Sequence, residues 1–165
     1  MTMGFIEKGV QEPAKLTVQT EDSAYLLLAA GDYLGAWLLL RNADSKDSAA
    51  ALYNKALCQL RMGRDEEAYL TLQQAKQAAP AATPGQKNAF LEAAREVLKA
   101  QDQPQTVWIP LSWQLTAENP PYAELKITWL LLYCCRRCGR RQEALDLKAK
   151  LEQYGIQSIN ELLEL

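Results

Sequence analysis

An all-α fold made of antiparallel helical hairpins is predicted by three observations. The composition leans towards good helix formers, Ala, Leu, Gln, Glu, Lys and Arg, with few Val and Thr. Apolar residues recur at helical spacing, as in Leu52, Ala56 and Leu60 and again in Ala68, Leu72 and Ala75. Short glycine turns separate such faces, Met62-Gly63-Arg64-Asp65 being the clearest. Helices reach the near end of their roughly 8 to 10 Å spacing only where the contact residues are small, so the alanines are as informative as the leucines.

The first hairpin spans about 18–46. Thr20-Glu21-Asp22-Ser23 supplies capping groups and N-terminal negative charge to a helix running to about Ala30, Gly31-Asp32 turns the chain, and Tyr33 to about Asn42 forms the second helix. Residues 1–17, of mixed polarity with Pro13, read as a leader. The second hairpin spans 49–80. After the linker Ala81-Ala82-Thr83-Pro84-Gly85, Gln86 to Ala100 reads as a helix with Phe90, Ala93, Ala94, Val97 and Leu98 on one side.

An irregular third unit, 84–122, is expected, because four of the seven prolines and two of the four tryptophans fall between Gln101 and Tyr122. Thr106 to Leu111 is compatible with extended chain. Two readings stand side by side: a core plug formed by Trp108, Ile109, Leu111 and Trp113, or a partner-binding loop. The last hairpin spans 123–153, with Gly139 as its turn. Ser158 and Glu161 form a capping box for a helix over 157–165, with Ile159, Leu162 and Leu163 apolar. It caps the last hairpin or makes a dimer contact.

At 165 residues the chain has a one-domain length, enough to bury about two thirds of its unfolded surface. A net charge of −2 supplies no bulk field for nucleic acid or an anionic membrane. The absence of His removes the usual neutral-pH acid/base and the commonest metal ligand. No phosphate loop or dinucleotide fingerprint is present, and the acidic residues sit mostly on helix surfaces beside Lys and Arg. A protein that is not an enzyme, with no cofactor and no metal, is expected. The apolar run from Ala24 to Leu40 has Gly31-Asp32 at its centre and reads as a hairpin, not a membrane span. With no signal-peptide pattern at the N-terminus, the expected compartment is the cytoplasm, where the four cysteines stay reduced.

Ala56, Gly63, Ala68, Ala75 and Pro80 match in order and spacing the pattern of the tetratricopeptide repeat (TPR), which this stretch resembles. Gly31 and Gly63 lie roughly 32 residues apart, near the roughly 34 of that repeat. Leu132, Gly139, Ala144 and Leu151 stand at the corresponding places of the last hairpin, with Leu132 and Leu151 larger than the family places there. The resemblance implies a TPR-like right-handed α-solenoid with an irregular Pro/Trp insert and a C-terminal capping helix. Its first helices would line a concave groove. The groove positions it implies are Glu21, Tyr25 and Leu28, then Tyr53, Leu57, Leu60 and Arg61, then Trp129, Tyr133, Arg136 and Arg137.

The function so implied is a non-enzymatic protein–protein interaction module, an adaptor or chaperone-like. Its expected partner is a protein or peptide with acidic and apolar residues, since Arg pairs with carboxylate bidentately and aromatics supply rigid area. Trp108 and Trp113 join the candidate partner-binding set, and no nucleic acid or membrane partner is expected. The alternative is a structural subunit or homodimer using the 106–113 loop and the C-terminal helix. A weaker one is a thiol-based metal or redox protein using Cys58, Cys134, Cys135 and Cys138. Against it, Cys135-x-x-Cys138 sits at a helix C-terminus, where the dipole raises thiol pKa values.

Overall fold

The computed structural model describes residues 15–164, and among them all regular structure is helical. The expected leader falls outside these residues except at 15–17, as do Leu165 and the side chains beyond Glu161. The first hairpin is α1 (Val18–Ala29) and α2 (Tyr33–Leu40), and the second is α3 (Ala49–Arg61) and α4 (Asp65–Ala78). Then come α5 (Pro84–Ala93), α6 (Arg95–Ala100), a 3-10 turn at Pro104–Trp108 and α7 (Trp113–Glu118). The third hairpin is α8 (Pro120–Arg137) and α9 (Arg141–Leu151), followed by a 3-10 turn and α10 (Gln157–Glu164). In space α2 packs on α3, and α4 packs directly on α8. The segment 79–119 is therefore looped out of the hairpin series, and it lies chiefly against α3 and α8, with α7 also reaching α1.

The three hairpins close in the same way. Gly31, Gly63 and Gly139 each adopt positive φ, at 82°, 73° and 71°, the left-handed conformation that a Cβ disfavours. The N–H groups of Asp32, Arg64 and Arg140, one residue on, donate to the carbonyls of Leu27, Gln59 and Cys135 at 2.8, 2.9 and 2.8 Å. This is the Schellman closure, which satisfies the carbonyls a helix end leaves open. Around each glycine the same places are buried: Ala24, Ala36 and Ala43 in the first hairpin, Ala56, Ala68 and Ala75 in the second, Leu132, Ala144 and Leu151 in the third.

The joints between hairpins repeat too. Arg64, the residue after one glycine, lies over the Trp37 ring of the preceding hairpin at 5.4 Å, and Arg140, the residue after the next, lies over Tyr69 at 3.9 Å. Tyr69 donates to Glu143 at 2.8 Å, and the Cys134 thiol donates to the carbonyl of Asp65 at 3.2 Å.

Several expectations shift. Ser158, expected to cap the last helix, lies inside α10, whose first N–H groups, those of Gln157 and Ser158, donate to Asp102 at 2.8 Å instead. The first helix is capped by Thr17, whose side chain accepts from the N–H of Thr20 at 3.1 Å. The expected helix 86–100 is divided after Ala93, so that Leu98 turns into the core and Val97 stays 53% exposed. The last hairpin starts at Pro120: Pro120 and Pro121 occupy the first helical turn, where a missing N–H costs nothing, and Asn119 caps them. Thr106 to Trp108, compatible in sequence with extended chain, lie instead in the 3-10 turn, and extended conformation begins at Ile109, with φ −69° and ψ 124°.

Replacing the buried Ala68 with Leu is expected to overpack the second hairpin and lower stability by about 1 to 3 kcal/mol. Chemical denaturation checks it, with the exposed Ala149→Leu as a neutral control.

Candidate functional site

The first helices α3 and α8 present polar side chains to a crossing segment that runs from the 3-10 turn to Leu111. Asn54 pairs with one residue in both directions: its amide nitrogen donates to the carbonyl of Leu111 at 2.8 Å, and its oxygen accepts from the Leu111 N–H at 2.9 Å. The Tyr53 hydroxyl donates to the carbonyl of Val107, and the Lys126 ammonium donates to the carbonyl of Thr106. All three side chains are buried, as are Thr106, Val107 and Leu111. Buried peptide groups need partners, and here side chains supply them at Val107 and Leu111 and add to the bond that the Ile109 N–H gives the Thr106 carbonyl at 3.1 Å. The contacts read main chain rather than side chains.

This arrangement reassigns several expected groove residues. Tyr53, Leu57 and Trp129 are 0%, 0% and 1% exposed, so they are core residues and line no open groove. Among the described residues the Trp129 indole N–H finds no acceptor. Glu21 is also buried, taking the hydroxyl hydrogen of Ser48, and burial is the main cause that raises its pKa. Val107 and Leu111, in the 106–113 loop, are inside as well, whereas Ile109 is 44% exposed.

The remaining expected residues separate into two places. Arg61, Trp108 and Tyr133 come together: the Arg61 guanidinium lies 4.0 Å from the Trp108 ring centre, and Trp108 stands edge-on to Tyr133 at 5.4 Å. Tyr33, which the sequence reading did not single out, adds a second ring at 4.9 Å from Arg61. Arg61 is exposed, and the three rings are half-buried. Arg137 is exposed and pairs with Asp65 at 3.3 Å, and Arg136 is half-buried beside it in α8. Trp113 lies elsewhere, its indole N–H donating to Asp22 at 3.0 Å, and Tyr25 is half-buried on α1.

Burial is the first cause of every thiol shift. It pushes Cys58 and Cys135 up to about 12, raises Cys134 further, and moves Cys138 upward as well. Thiolate chemistry is thereby suppressed at neutral pH. Among the described residues no three His, Cys, Asp or Glu side chains are placed to hold a metal ion. No helix among them is long and apolar enough to cross a membrane. A cleft of about 620 Å³ lies between α5 and the start of α8, lined by Phe90, Val97, Leu115 and Tyr122 among others.

Asn54 and Lys126 went unnoticed in the sequence. The signal was available: each is a polar residue at a helical position whose neighbours are apolar, such as Leu52, Ala56 and Leu57 for one and Leu125, Ile127 and Leu130 for the other. Comparison of the chain with protein-family models, with curated proteins and with solved structures finds no match.

Asn54→Ala should cost about 2 to 4 kcal/mol, because a buried N–H and a buried C=O each lose their partner; urea unfolding measures it. Lys126 gives a pH test. Burial lowers its pKa from 10.5 to about 7, so below pH 7 it is charged in both folded and unfolded chains and carries the full cost of burial. Above pH 7 the folded chain releases the proton first, and stability rises until the unfolded chain also titrates near 10.5. The wild type should therefore gain on K126M by up to about 1.4 kcal/mol per pH unit above 7, as followed by unfolding between pH 6 and 9.

Proposed function

We propose that this chain is a TPR-like interaction module, a stack of helical hairpins with no chemistry of its own, which binds a protein segment along the exposed edge of its first helices. We place it in the cytoplasm, where its thiols remain reduced. The observation that carries the reading is the grouping of Arg61, Trp108 and Tyr133 with Tyr33 at the surface, drawn from the first two hairpins, the crossing segment and the third hairpin. Arginine and large aromatics are the side chains enriched at binding hot spots. Support for the repeat reading comes from the common closure at Gly31, Gly63 and Gly139 and from the small residues buried around it.

The centre of an expected groove is filled by the chain's own segment 106–111. The surface left for a partner is the rim of that filling, where Trp108 emerges against Arg61 and Ile109 is exposed. A homodimer built on the 106–113 loop has less to work with, since Val107 and Leu111 are already inside.

Affinity capture followed by mass spectrometry tests the proposal. A Trp108→Ala, Tyr133→Ala double variant of unchanged helicity should lose the partner that the wild type retains. Equal recovery by both would refute the assignment of this surface.

A further inference from the structure

The Arg61 cluster supports a more specific reading, which rests on the interaction-module proposal. Arg64, Arg137 and Arg140 each face a carboxylate: Glu67 at 3.7 Å, Asp65 at 3.3 Å and Glu66 at 3.1 Å. Arg61 differs. Among the described residues its contacts are the Trp108 ring at 4.0 Å and the Tyr33 ring at 4.9 Å, and no carboxylate or carbonyl accepts from it. Rings engage a guanidinium through its flat faces, whereas its five N–H donors lie in the plane and point out through its edge. Arg61 is exposed, and among the described residues no protein acceptor meets its N–H donors, so the two rings flank a guanidinium whose hydrogen bonds are left to solvent.

A fork held in this way has already lost much of the rotamer freedom that a free arginine gives up on binding. Trp108 is itself fixed, being edge-on to Tyr133, in a segment anchored to α3 and α8 through Tyr53, Asn54 and Lys126. Beside it stands Ile109, 44% exposed. A planar cation next to aromatic and aliphatic surface fits a planar anion carried next to an apolar side chain.

We propose that Arg61 is a preorganised carboxylate fork and that its occupant is a Glu or Asp side chain of a partner segment, flanked by an apolar residue that lies on Trp108 and Ile109. The charge complementarity selects an acidic peptide, and the fork geometry selects a carboxylate within it.

The test uses the full-length chain labelled with nitrogen-15 and titrated with acetyl-Leu-Glu-Leu-amide. The expected result is saturable movement of the Arg61 Nε–H, the Trp108 indole N–H and the Ile109 amide resonances. Acetyl-Leu-Gln-Leu-amide should bind at least about tenfold more weakly, as a neutral amide lacks the charge-assisted pair. Arg61→Lys should weaken the glutamate peptide about tenfold, read at Ile109, because an ammonium cannot replace a fork. Arg61→Met, which keeps an apolar stem near the rings, should abolish binding with the spectrum otherwise retained.

Equal binding of the Glu and Gln peptides, or of the Glu peptide by wild type and R61K, would overturn the proposal. So would inorganic phosphate moving the same resonances more tightly than the peptide, which would mark a general anion site. Should no peptide move these resonances while partner capture still depends on Trp108 and Tyr133, the fork fails and the interaction module stands.

Discussion

Thr106, Val107 and Leu111 are buried against two helices, and their peptide groups have to find hydrogen bonds there or the segment could not remain inside. Asn54 meets that requirement most completely, since one side chain satisfies both main-chain groups of Leu111. Tyr53 and Lys126 serve the carbonyls of Val107 and Thr106. The other features of this face depend on it. The anchored segment places Trp108 against Arg61 and Tyr133, covers Tyr53, and at Asp102, just before it, reaches the C-terminal helix. There the Asp102 carboxylate accepts from the N–H groups of Gln157 and Ser158, both at 2.8 Å.

The hairpins follow a different rule. Small residues let each pair of helices approach closely, a left-handed glycine ends each first helix, and the residue after the glycine at the second and third turns is an arginine that reaches back over an aromatic ring. The first helix of the second hairpin is almost wholly buried, from Ala49 to Leu60, because it has neighbours on both sides and the crossing segment over its remaining face. The corresponding α1 carries an exposed Leu26 where Cys58 and Cys134 are fully buried.

Much of this was legible in the sequence because it depends on local spacing. Ala56, Gly63 and Ala68 declare a hairpin by their separation alone, and Gly139 with Ala144 declares another. Pro120 and Pro121 were harder, since proline marks both the end of one element and the first turn of the next. The candidate site was half legible. Arg61, Trp108 and Tyr133 stood out by residue type, but their meeting with Tyr33 depends on contacts between distant parts of the chain. Tyr53, Leu57 and Trp129 looked like groove residues because nothing in their own helices announces that 106–111 crosses over them. Only Asn54 and Lys126, polar in apolar company, hinted that something would be bound there.

The looping-out of 79–119 has a consequence for how the chain assembles. The first two hairpins are joined by short connections and bury one another through contacts near in sequence, so their association closes only small loops. The contact of α4 with α8 joins helices separated by that whole segment, and it cannot form before α8 has been made. During synthesis the N-terminal pair is therefore free to collapse first, leaving the outer side of α4 as a waiting template. When the third hairpin docks, the strap of chain laid across α3 is locked by Lys126 of α8, a helix made well after α3 itself.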